Sequence, residues 1–374
     1  MDVRAFDFDL PHELIAQEPA AERSASRLLH LHCDTGGITH TSINTLPDAL
    51  TGGDLLVVNN TRVFPARLLG RRVPSGGVVE CLLIGRPGSD WSQTSVRPQS
   101  DPEVWEALMH PGQKLRVGAQ VVFEGPRTLH AEVLERRFHG RRVIRLWTDD
   151  GSSIDEAIDL IGHVPLPPYI KRDDRADDRD RYQTIFARPR GSVAAPTAGL
   201  HFSRPLLTAL NARGIDIAEI TLHVGYGTFQ PVRGERVEDH RLEPEQYEID
   251  DLATAAINRA LEDGRRVIAV GSTTTRTLEA VALAHDGRIA AGRGSTDLFI
   301  YPGFQFRVIR GLLTNFHLPR SSLLMLVAAF AGRPSTRSGR PELVEGRERV
   351  LRAYREAIAE RYRFYSYGDA MLIL

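Results

Sequence analysis

The order of apolar and polar residues along the chain first predicts two strands. Apolar residues alternate with histidines over residues 29–33, which is typical of a strand with one buried face. His30 and His32 lie on its other face, either as metal ligands or as solvent-facing side chains. The solvent-facing interpretation is favoured, because no third ligand follows at a suitable spacing. The apolar run 55–58 predicts a buried strand that leads into the polar residues 59–62.

Between residues 70 and 147 the pattern changes to short alternating runs separated by Gly, Pro, Ser and Asp. Closely spaced short strands of this kind are typical of a small all-β barrel or sandwich. Residues 87–101 are predicted to form a polar loop within it. The predicted strands are 78–84, 115–117, 119–123, 131–134 and 142–147.

After residue 147, helical and strand patterns alternate, as expected of an α/β domain. We therefore predict a mixed α/β protein with two domains. The larger α/β domain is built from both chain ends, residues 1–68 and 150–374, and the β-barrel-like domain at 69–149 is inserted into it. The predicted helices are 153–161, 206–213, 252–263 and 275–285, and the predicted strands are 217–224 and 266–271.

Three other segments of the larger domain have a distinctive composition. Residues 162–169 contain three prolines, which fix φ and predict an extended segment. Residues 171–182 are dense in charge and predict a surface loop. The turn-rich stretch 333–346 is interpreted as a tolerated surface insert, and it precedes a predicted last helix at 348–362.

The composition is that of an ordinary soluble protein: 374 residues, 42% hydrophobic, 25% charged, with a net charge of −1. A protein that coats nucleic acid non-specifically is usually more basic, so any nucleic-acid surface here has to be local. The two cysteines, Cys33 and Cys81, exclude a cysteine-rich zinc site. With no signal-peptide pattern and no apolar run of membrane-spanning length, we expect a cytoplasmic protein.

Common nucleotide and hydrolase motifs are absent, since Gly225 and Gly227 lack a third glycine and no P-loop, HExxH or GxSxG occurs. Polar clusters instead follow the predicted strands, where open α/β sheets bind ligands. Residues 270–276 carry hydroxyls that either bind a phosphate, carboxylate or ribose, or cap a helix. Asn60 and Arg62 suit a polar ligand, although two consecutive asparagines also form turns.

Three histidines, His201, His223 and His317, end or interrupt apolar segments beside Thr, Gly, Asn or Pro. A single histidine in that setting is usually a core residue, but three of them are better explained by a site. Imidazole titrates near neutral pH and can transfer a proton. Asp369 is a further acid/base candidate, with the alternative that its carboxylate caps a turn near the C-terminus.

These segments together resemble one known family, the S-adenosylmethionine:tRNA ribosyltransferase-isomerases of queuosine biosynthesis. The resemblance extends over essentially the whole chain. The chain departs from the family pattern at Glu243, where a second histidine is common, at Ser272, where Thr is usual, and at 333–346, which the pattern lacks. The matching segments are FDFDLPHELIAQEP, SRLL, NNTRVFPARLLG, GHVPLPPYI, RYQTIFA, GSVAAPTAGLHF, TLHVGYGTFQPV, TDLFIYPGFQF, LLTNFHLPRSSLLMLVAAFAG and YRFYSYGDAMLIL.

The resemblance implies transfer and isomerisation of the ribosyl part of S-adenosylmethionine onto 7-aminomethyl-7-deazaguanine at the tRNA wobble position. The expected products are epoxyqueuosine-tRNA, adenine and methionine, so S-adenosylmethionine is a consumed cosubstrate. We expect no permanently bound cofactor, no metal, no membrane association and a monomer. The partners are then tRNA carrying the modified base and S-adenosylmethionine.

For this reaction, we hypothesise that several acid/base groups share the proton transfers and that polar and aromatic groups hold the substrates. The proposed catalytic residues are His201, His317, His223 and Asp369. The proposed substrate-binding residues are Asn60, Arg62, Thr197, Arg276, Asn315 and Tyr169.

The tRNA surface is expected to combine arginines with an aromatic platform, because an anticodon loop offers phosphates and unstacked bases. Candidates are Tyr169, residues 171–181 and residues 361–365, and the alternative for each is an ordinary solvated surface. Two other functions remain open from the residues: an S-adenosylmethionine-dependent RNA methyltransferase, and a non-enzymatic RNA-binding module built around the barrel.

Overall fold

The structure is a computed structural model that describes residues 1–87, 102–229, 232, 234–333 and 343–374. None of its helices combines the length and apolar character needed to cross a membrane. The strands are β1 Arg27–Leu31, β2 Ile38–Ser42, β3 Leu55–Asn59, β4 Arg62–Val63, β5 Arg67–Val73, β6 Val78–Gly85, β7 Glu103–His110, β8 Gln120–Phe123, β9 Leu129–Arg136, β10 Arg141–Thr148, β11 Arg190–Ser192, β12 Asp216–Leu222, β13 Glu245–Ile249, β14 Val267–Val270, β15 Gly292–Thr296, β16 Ile309–Asn315 and β17 Ala370–Ile373. The helices are α1 Leu46–Ala49, α2 Ile154–Ile161, α3 Asp178–Arg181, α4 Arg204–Ala212, α5 Asp251–Glu262, α6 Ser272–Ala284, α7 Ser322–Ala331 and α8 Leu343–Ala359.

Both chain ends contribute to one large mixed sheet in the order β15-β13-β12-β3-β14-β16-β17-β1-β2. Its centre is parallel, with β3 paired to β12 and β14, and β14 paired to β16. The last strand, β17, runs antiparallel to β16 and parallel to β1. The carboxyl ends of four parallel strands and the amino ends of β17 and β1 therefore meet at one edge.

The sheet is covered on both faces, as the apolar run at β3 predicts. Leu55 and Val57 pack into a core formed with α5, α6, α7 and α8. Leu56 and Val58, which alternate with them, pack into a second core with α1 and α4. The predicted mixed α/β fold is confirmed, and it is a three-layer arrangement around the large sheet.

The second unit is a closed barrel of strands in the order β10-β7-β6-β5-β8-β9. The strands run from Arg67 to Thr148, and α2 packs into the same apolar core through Ile154, Ala157 and Ile158. The all-β character predicted for this part of the chain is therefore confirmed, while the domain limits of 69–149 stay a prediction.

Some predicted elements of the barrel differ from the structure. The predicted strand at 115–117 is wrong, because Leu115 ends a short 3-10 turn and its side chain fills the barrel core. Strands β5 and β7 were not predicted; β5 is interrupted by arginines and Gly70, which hide its alternation. Most of the predicted polar loop at 87–101 lies outside the described residues.

In the larger domain the charged segment 171–182 is more ordered than a surface loop. It contains α3, and the Asp178 carboxylate is buried, where it accepts hydrogen bonds from Arg172 at 2.6 Å and from the Tyr367 hydroxyl at 2.7 Å. The last helix begins earlier than predicted, at Leu343, and residues 334–342 of the predicted insert lie outside the described residues.

His30 and His32 share one face of β1, as predicted, with ring centroids 3.9 Å apart. Burial, followed by the charges of His32 and Arg266, lowers the pKa of His30 to about 4. Within the described ranges, no group of three or more His, Cys, Asp or Glu side chains is arranged to hold a metal ion. Cys33 and Cys81 are both buried free thiols.

Candidate active site

The carboxyl edge of the parallel strands is held together by side chains that follow them. Asn59 at the end of β3 donates from Nδ2 to the Leu222 carbonyl at 2.9 Å and accepts from the Leu222 N–H at 3.1 Å. This exchange ties the end of β3 to the end of β12. Gly271 links β14 to α6 at a φ of 95°, a conformation that favours glycine.

A cleft with two adjoining lobes opens at this edge, and Val224 and Leu323 belong to the walls of both. We call the first the aromatic lobe; it encloses about 750 Å³, part of it open to solvent. We call the second the charged lobe, which encloses about 820 Å³ measured in the same way. The aromatic lobe is lined by Tyr169, Thr197, Asn315, Phe316, His317 and Tyr365, and the charged lobe by His223, Glu243, Glu245, Arg276 and Phe299.

The aromatic lobe is built around two tyrosines. The rings of Tyr169 and Tyr365 have centroids 4.5 Å apart, and the Tyr169 hydroxyl lies 2.6 Å from Ser366 Oγ. Asn315, the last residue of β16, donates from Nδ2 to the Tyr365 carbonyl at 2.9 Å. Thr197 approaches from the segment that precedes α4. Four parts of the chain that are distant in sequence thus form one wall.

His317 lies two residues after the end of β16 and is 8% exposed. Its Nε2 lies 2.8 Å from Thr314 Oγ1, and its backbone N–H donates to the Tyr354 hydroxyl at 3.0 Å. Burial lowers the pKa of His317 to about 3, so the imidazole is neutral at physiological pH. The neutral imidazole has a free nitrogen lone pair, and the low pKa makes it a weak base.

The charged lobe contains a buried ion pair between Arg276 on α6 and Glu245 at the start of β13, 2.5 Å apart. The pair is well supported, because Glu245 also accepts from the Gly225 N–H at 3.0 Å and Arg276 donates to the Leu298 carbonyl at 2.9 Å. Glu243, also in this lobe, forms an ion pair with Arg141 on β10 of the barrel. The lobe therefore includes a contact between the barrel and the larger domain.

His223 lies in the charged lobe, directly after β12. Its Nδ1 is 2.8 Å from Thr61 Oγ1, and Thr61 is in turn 2.8 Å from Ser192 Oγ. Burial lowers the pKa of His223 to about 4, against the weaker opposing charge of Glu248. A Cβ atom at Gly191 would lie 2.5 Å from the His223 ring, so only glycine leaves room for this imidazole.

His201 is buried behind the cleft rather than in its lining, beside a small cavity that includes Arg23 and Arg181. Burial lowers its pKa to about 4, and the neighbouring Asn315 side chain opposes that shift. Within the described residues, neither His201 Nε2 nor Asn315 Oδ1 has a hydrogen-bond partner. His201 faces Asn315 from behind the cleft wall, and its role in the reaction stays a prediction.

The remaining predicted site residues also lie away from the lobes. The Asp369 carboxylate accepts from the backbone N–H of Arg27 at 3.0 Å and of Arg363 at 2.8 Å, a geometry that favours the alternative of a capping role. Asn60 bonds to Glu219 and Thr221, and Arg62 is exposed on β4. Their proposed roles stay predictions.

The hydroxyls at the start of α6 do not cap that helix, so the capping alternative is wrong. The residue before the helix is Gly271, which has no side chain to cap with, and Thr274 and Thr275 donate to the carbonyls of Val270 and Gly271. Ser272 and Thr273 instead line the aromatic lobe.

Residues that the sequence interpretation did not assign to the site include Glu245, Tyr365 and Ser366. One indication for Glu245 was available in the sequence, because the family pattern also has a glutamate at this position, although the chain departs from that pattern at Glu243. Tyr365 carried a weaker one, as part of a segment proposed for RNA contact. The cleft position of both depends on chain segments that are far apart in sequence.

The buried histidines predict how stability depends on pH. The pKa values of about 4 for His201 and about 3 for His317 are below the unfolded value of 6.5. Between these values the unfolded chain binds more protons, so the free energy of unfolding falls as pH drops below about 6.5. At pH near 4 the loss should be roughly 3 kcal/mol per histidine, at about 1.4 kcal/mol for each pKa unit.

Urea denaturation across this pH range measures the effect, with His201→Gln expected to reduce the slope. Equal slopes in wild type and His201→Gln would contradict the interpretation.

These features define a class: an α/β enzyme with an inserted closed barrel and a two-lobed cleft at the carboxyl edge of its sheet. The family model described as "Queuosine biosynthesis protein" matches residues 3–373, and the chain belongs to this family.

Named relatives and a solved structure agree with this assignment. The chain is 47% identical to the S-adenosylmethionine:tRNA ribosyltransferase-isomerase of Desulfitobacterium hafniense, and 48% identical to that of Heliobacterium modesticaldum, over 100% of each chain. It is similar to the crystal structure of the S-adenosylmethionine tRNA ribosyltransferase from Thermotoga maritima, with 36% identity and a TM-score of 0.52. That match covers 99% of this chain and 100% of the other.

Proposed function

We propose that this protein is an S-adenosylmethionine:tRNA ribosyltransferase-isomerase of queuosine biosynthesis. The observation that carries the proposal is the 47–48% identity, over the whole chain, to relatives with that name. The substrates are S-adenosylmethionine and tRNA with 7-aminomethyl-7-deazaguanine at the wobble position. The products are epoxyqueuosine-tRNA, adenine and methionine.

The chemistry of this reaction sets requirements on the cleft. A proton is removed from the ribose methylene, whose acidity is raised by the adjacent positive sulfur, and a positioned base must accept it. Adenine departs with a proton or a hydrogen bond, and the substrate amine attacks in its neutral form. Epoxide formation then releases methionine, as an alkoxide displaces the sulfur. Every step needs a group that accepts or donates a proton.

We assign these transfers to two of the predicted histidines. His317 in the aromatic lobe and His223 in the charged lobe are both neutral at physiological pH, since burial lowers their pKa values to about 3 and about 4. We assign His317 the role of proton acceptor, with Asn315 and Thr197 beside it to hold the ribose. Arg276 and His223 are assigned to the other part of the cosubstrate. His201 supports Asn315 from behind the wall.

The decisive experiment incubates the protein with S-adenosylmethionine and tRNA that carries the modified base, and follows the nucleobase products by chromatography. Free adenine supports the proposal. Formation of S-adenosylhomocysteine without adenine would indicate an RNA methyltransferase instead. Binding of the tRNA with no product at all would indicate an RNA-binding module.

The tRNA surface is proposed around Tyr169 and residues 171–181. Several arginines of this segment are occupied within the chain: Arg179 donates to the carbonyls of Asp159 and Gly162, and Arg181 donates to the Ala20 and Ala21 carbonyls. Phosphate contacts are therefore assigned to two other exposed cations, Lys171 and Arg175, of which Arg175 also pairs with Glu18 at 3.1 Å.

Replacing Lys171 and Arg175 with Glu is expected to weaken tRNA binding and to reduce its salt dependence, because fewer counterions are released. Filter binding at several salt concentrations measures both quantities, and S-adenosylmethionine binding should not change. The control is Arg293→Glu on β15, a comparably exposed arginine on another part of the surface. If the Lys171 and Arg175 variants keep the wild-type salt slope, the tRNA does not contact this segment.

A further inference from the structure

The two lobes of the cleft differ in charge, and this difference assigns them to different parts of one ligand. We infer that the aromatic lobe is the subsite for the adenine of S-adenosylmethionine, with Tyr365 as its stacking surface. The charged lobe then takes the amino-acid end. The inference rests on the proposed function, and it adds a location and a recognition residue that the function alone does not provide.

The distribution of ionisable side chains is the first observation. In the described part of the chain, the aromatic lobe is lined by aromatic, aliphatic, hydroxyl and amide groups and one neutral histidine, with no carboxylate, Lys or Arg. The charged lobe contains Arg276, Glu243 and Glu245. Adenine is neutral and planar, whereas the methionyl end carries an ammonium, a carboxylate and, at the junction, the sulfonium. Binding of the neutral adenine in the aromatic lobe leaves no buried charge without a partner. The zwitterionic methionyl end meets opposite charges in the charged lobe.

The backbone at Tyr365 is the second observation. Tyr365 has a φ of 73°, in the left-handed region that Gly or Asn adopts at lower cost than a bulky residue. The residue is anchored there by its N–H, which donates to the Phe316 carbonyl at 3.1 Å, and by its carbonyl, which accepts from Asn315. The conformation sets a tyrosine ring in the wall of the lobe, beside Tyr169. A ring placed at the expense of backbone strain is explained by a planar ligand that stacks on it.

The hydrogen-bonding groups of the lobe are the third observation. Asn315 fixes one side of the lobe, where its Nδ2 donates to the Tyr365 carbonyl at 2.9 Å. Hydroxyls from Ser272, Thr273 and Ser366 line the same lobe and can donate to the ring nitrogens of adenine. The lobe therefore offers stacking and edge recognition together.

The flipped tRNA base is the other planar ligand of this enzyme, and its charge argues for a different location. 7-Aminomethyl-7-deazaguanine carries an ammonium until it is deprotonated for attack. The described lining of the aromatic lobe has no carboxylate to pair with that ammonium, whereas Glu243 and Glu245 lie in the neighbouring lobe. The assignment of adenine to the aromatic lobe leaves the amine on the side where a carboxylate is available.

The test removes the Tyr365 ring without straining the chain. Tyr365→Gly relieves the left-handed backbone, so it is expected to fold, and its thermal unfolding is compared with that of wild type. Isothermal titration measures two probes: S-adenosylmethionine, and 5′-deoxy-5′-methylthioadenosine, which keeps the adenosine but lacks the amino-acid end. Tyr365→Gly should weaken both by about tenfold or more and by the same factor, the expected loss of one stacked base. Tyr365→Phe keeps the ring and should stay within about twofold.

A variant in the other lobe completes the design. Glu243→Gln should weaken S-adenosylmethionine but leave methylthioadenosine unchanged, since only the first carries the charged end. The inference is overturned if folded Tyr365→Gly binds methylthioadenosine as tightly as wild type. It is also overturned if free 7-aminomethyl-7-deazaguanine displaces methylthioadenosine from wild type but has no affinity for Tyr365→Gly, because the lobe then holds the tRNA base. Adenine release by wild type is assayed separately, so failure of the proposed function is distinguished from failure of this subsite.

Discussion

Replacement of Arg276 by Met is expected to lower the free energy of unfolding by about 3–5 kcal/mol and to abolish adenine release. Arg276 is 5% exposed and Glu245 is 7% exposed, so removal of the guanidinium leaves a carboxylate buried without its cation. The variant also loses the hydrogen bond from Arg276 to the Leu298 carbonyl. Urea denaturation measures the stability, and the adenine assay measures the activity.

A second ion pair that also uses a glutamate of β13 provides a matched control. Arg293 on β15 and Glu248 on β13 are 3.0 Å apart but about half exposed. Arg293→Met should cost less than about 1 kcal/mol, because water and salt screen an exposed pair. A comparable loss of stability in both variants would mean that burial in the charged lobe does not make the Arg276–Glu245 pair more important for stability.

The double variant Arg276→Met/Glu245→Met distinguishes the role of the ion pair in substrate binding from its effect on stability. Removing both charges leaves no unpaired ion, so the double variant should be more stable than Arg276→Met alone. It should nevertheless stay inactive, since the charged lobe then lacks groups for the amino-acid end of the cosubstrate. Recovery of activity with stability would exclude the pair from substrate binding.

Replacement of His317 by Gln is expected to slow adenine release by about 10²–10⁴-fold, the range for loss of a positioned acid/base group. The affinity for S-adenosylmethionine should change much less, because Gln keeps a polar group of similar reach. Single-turnover assays at saturating S-adenosylmethionine measure the rate. Since the pKa of His317 is about 3, its titration should produce no inflection in the wild-type rate near pH 6.5.

Two comparisons show whether the effect belongs to proton transfer. Thr314→Val removes the hydroxyl 2.8 Å from His317 Nε2 and should slow the reaction less than His317→Gln, because the imidazole remains. His40→Gln, at a surface histidine of the same sheet, should leave the rate unchanged. A loss of less than about tenfold in His317→Gln would remove this residue from the proposed proton transfer.

Several proposed site residues lie at the cleft because they stand at or just after the end of a parallel strand, while their roles stay predictions. The cleft is lined by Asn315 at the end of β16, His317 two residues later and His223 directly after β12, because parallel strands end at one edge of the sheet. Thr197 and Tyr169 also lie there, although they follow no strand of the large sheet. The family resemblance brought these segments together where their spacing in the sequence does not.

The prediction was less complete where the direction of a side chain decides whether the residue reaches the cleft. His201 has the same sequence features as His317, yet it is buried on the far side of Asn315. Asn60 follows the buried strand β3, but its amide bonds to Glu219 and Thr221 on β12. A residue type and its place at a strand end do not specify which of several directions the side chain takes.

The sequence by itself determined four strands of the large sheet, β1, β3, β12 and β14, together with the all-β character of the insert and the family. Alternation and ordered motifs are properties of neighbouring residues. Only the tertiary structure decided that Glu245 pairs with Arg276 and that Tyr365 stands in an aromatic wall beside Tyr169. It also divided the cleft into an uncharged and a charged lobe. Those features depend on contacts between segments separated by tens to hundreds of residues, and side-chain burial and pairing at such distances follow from how the strands are ordered in the sheet.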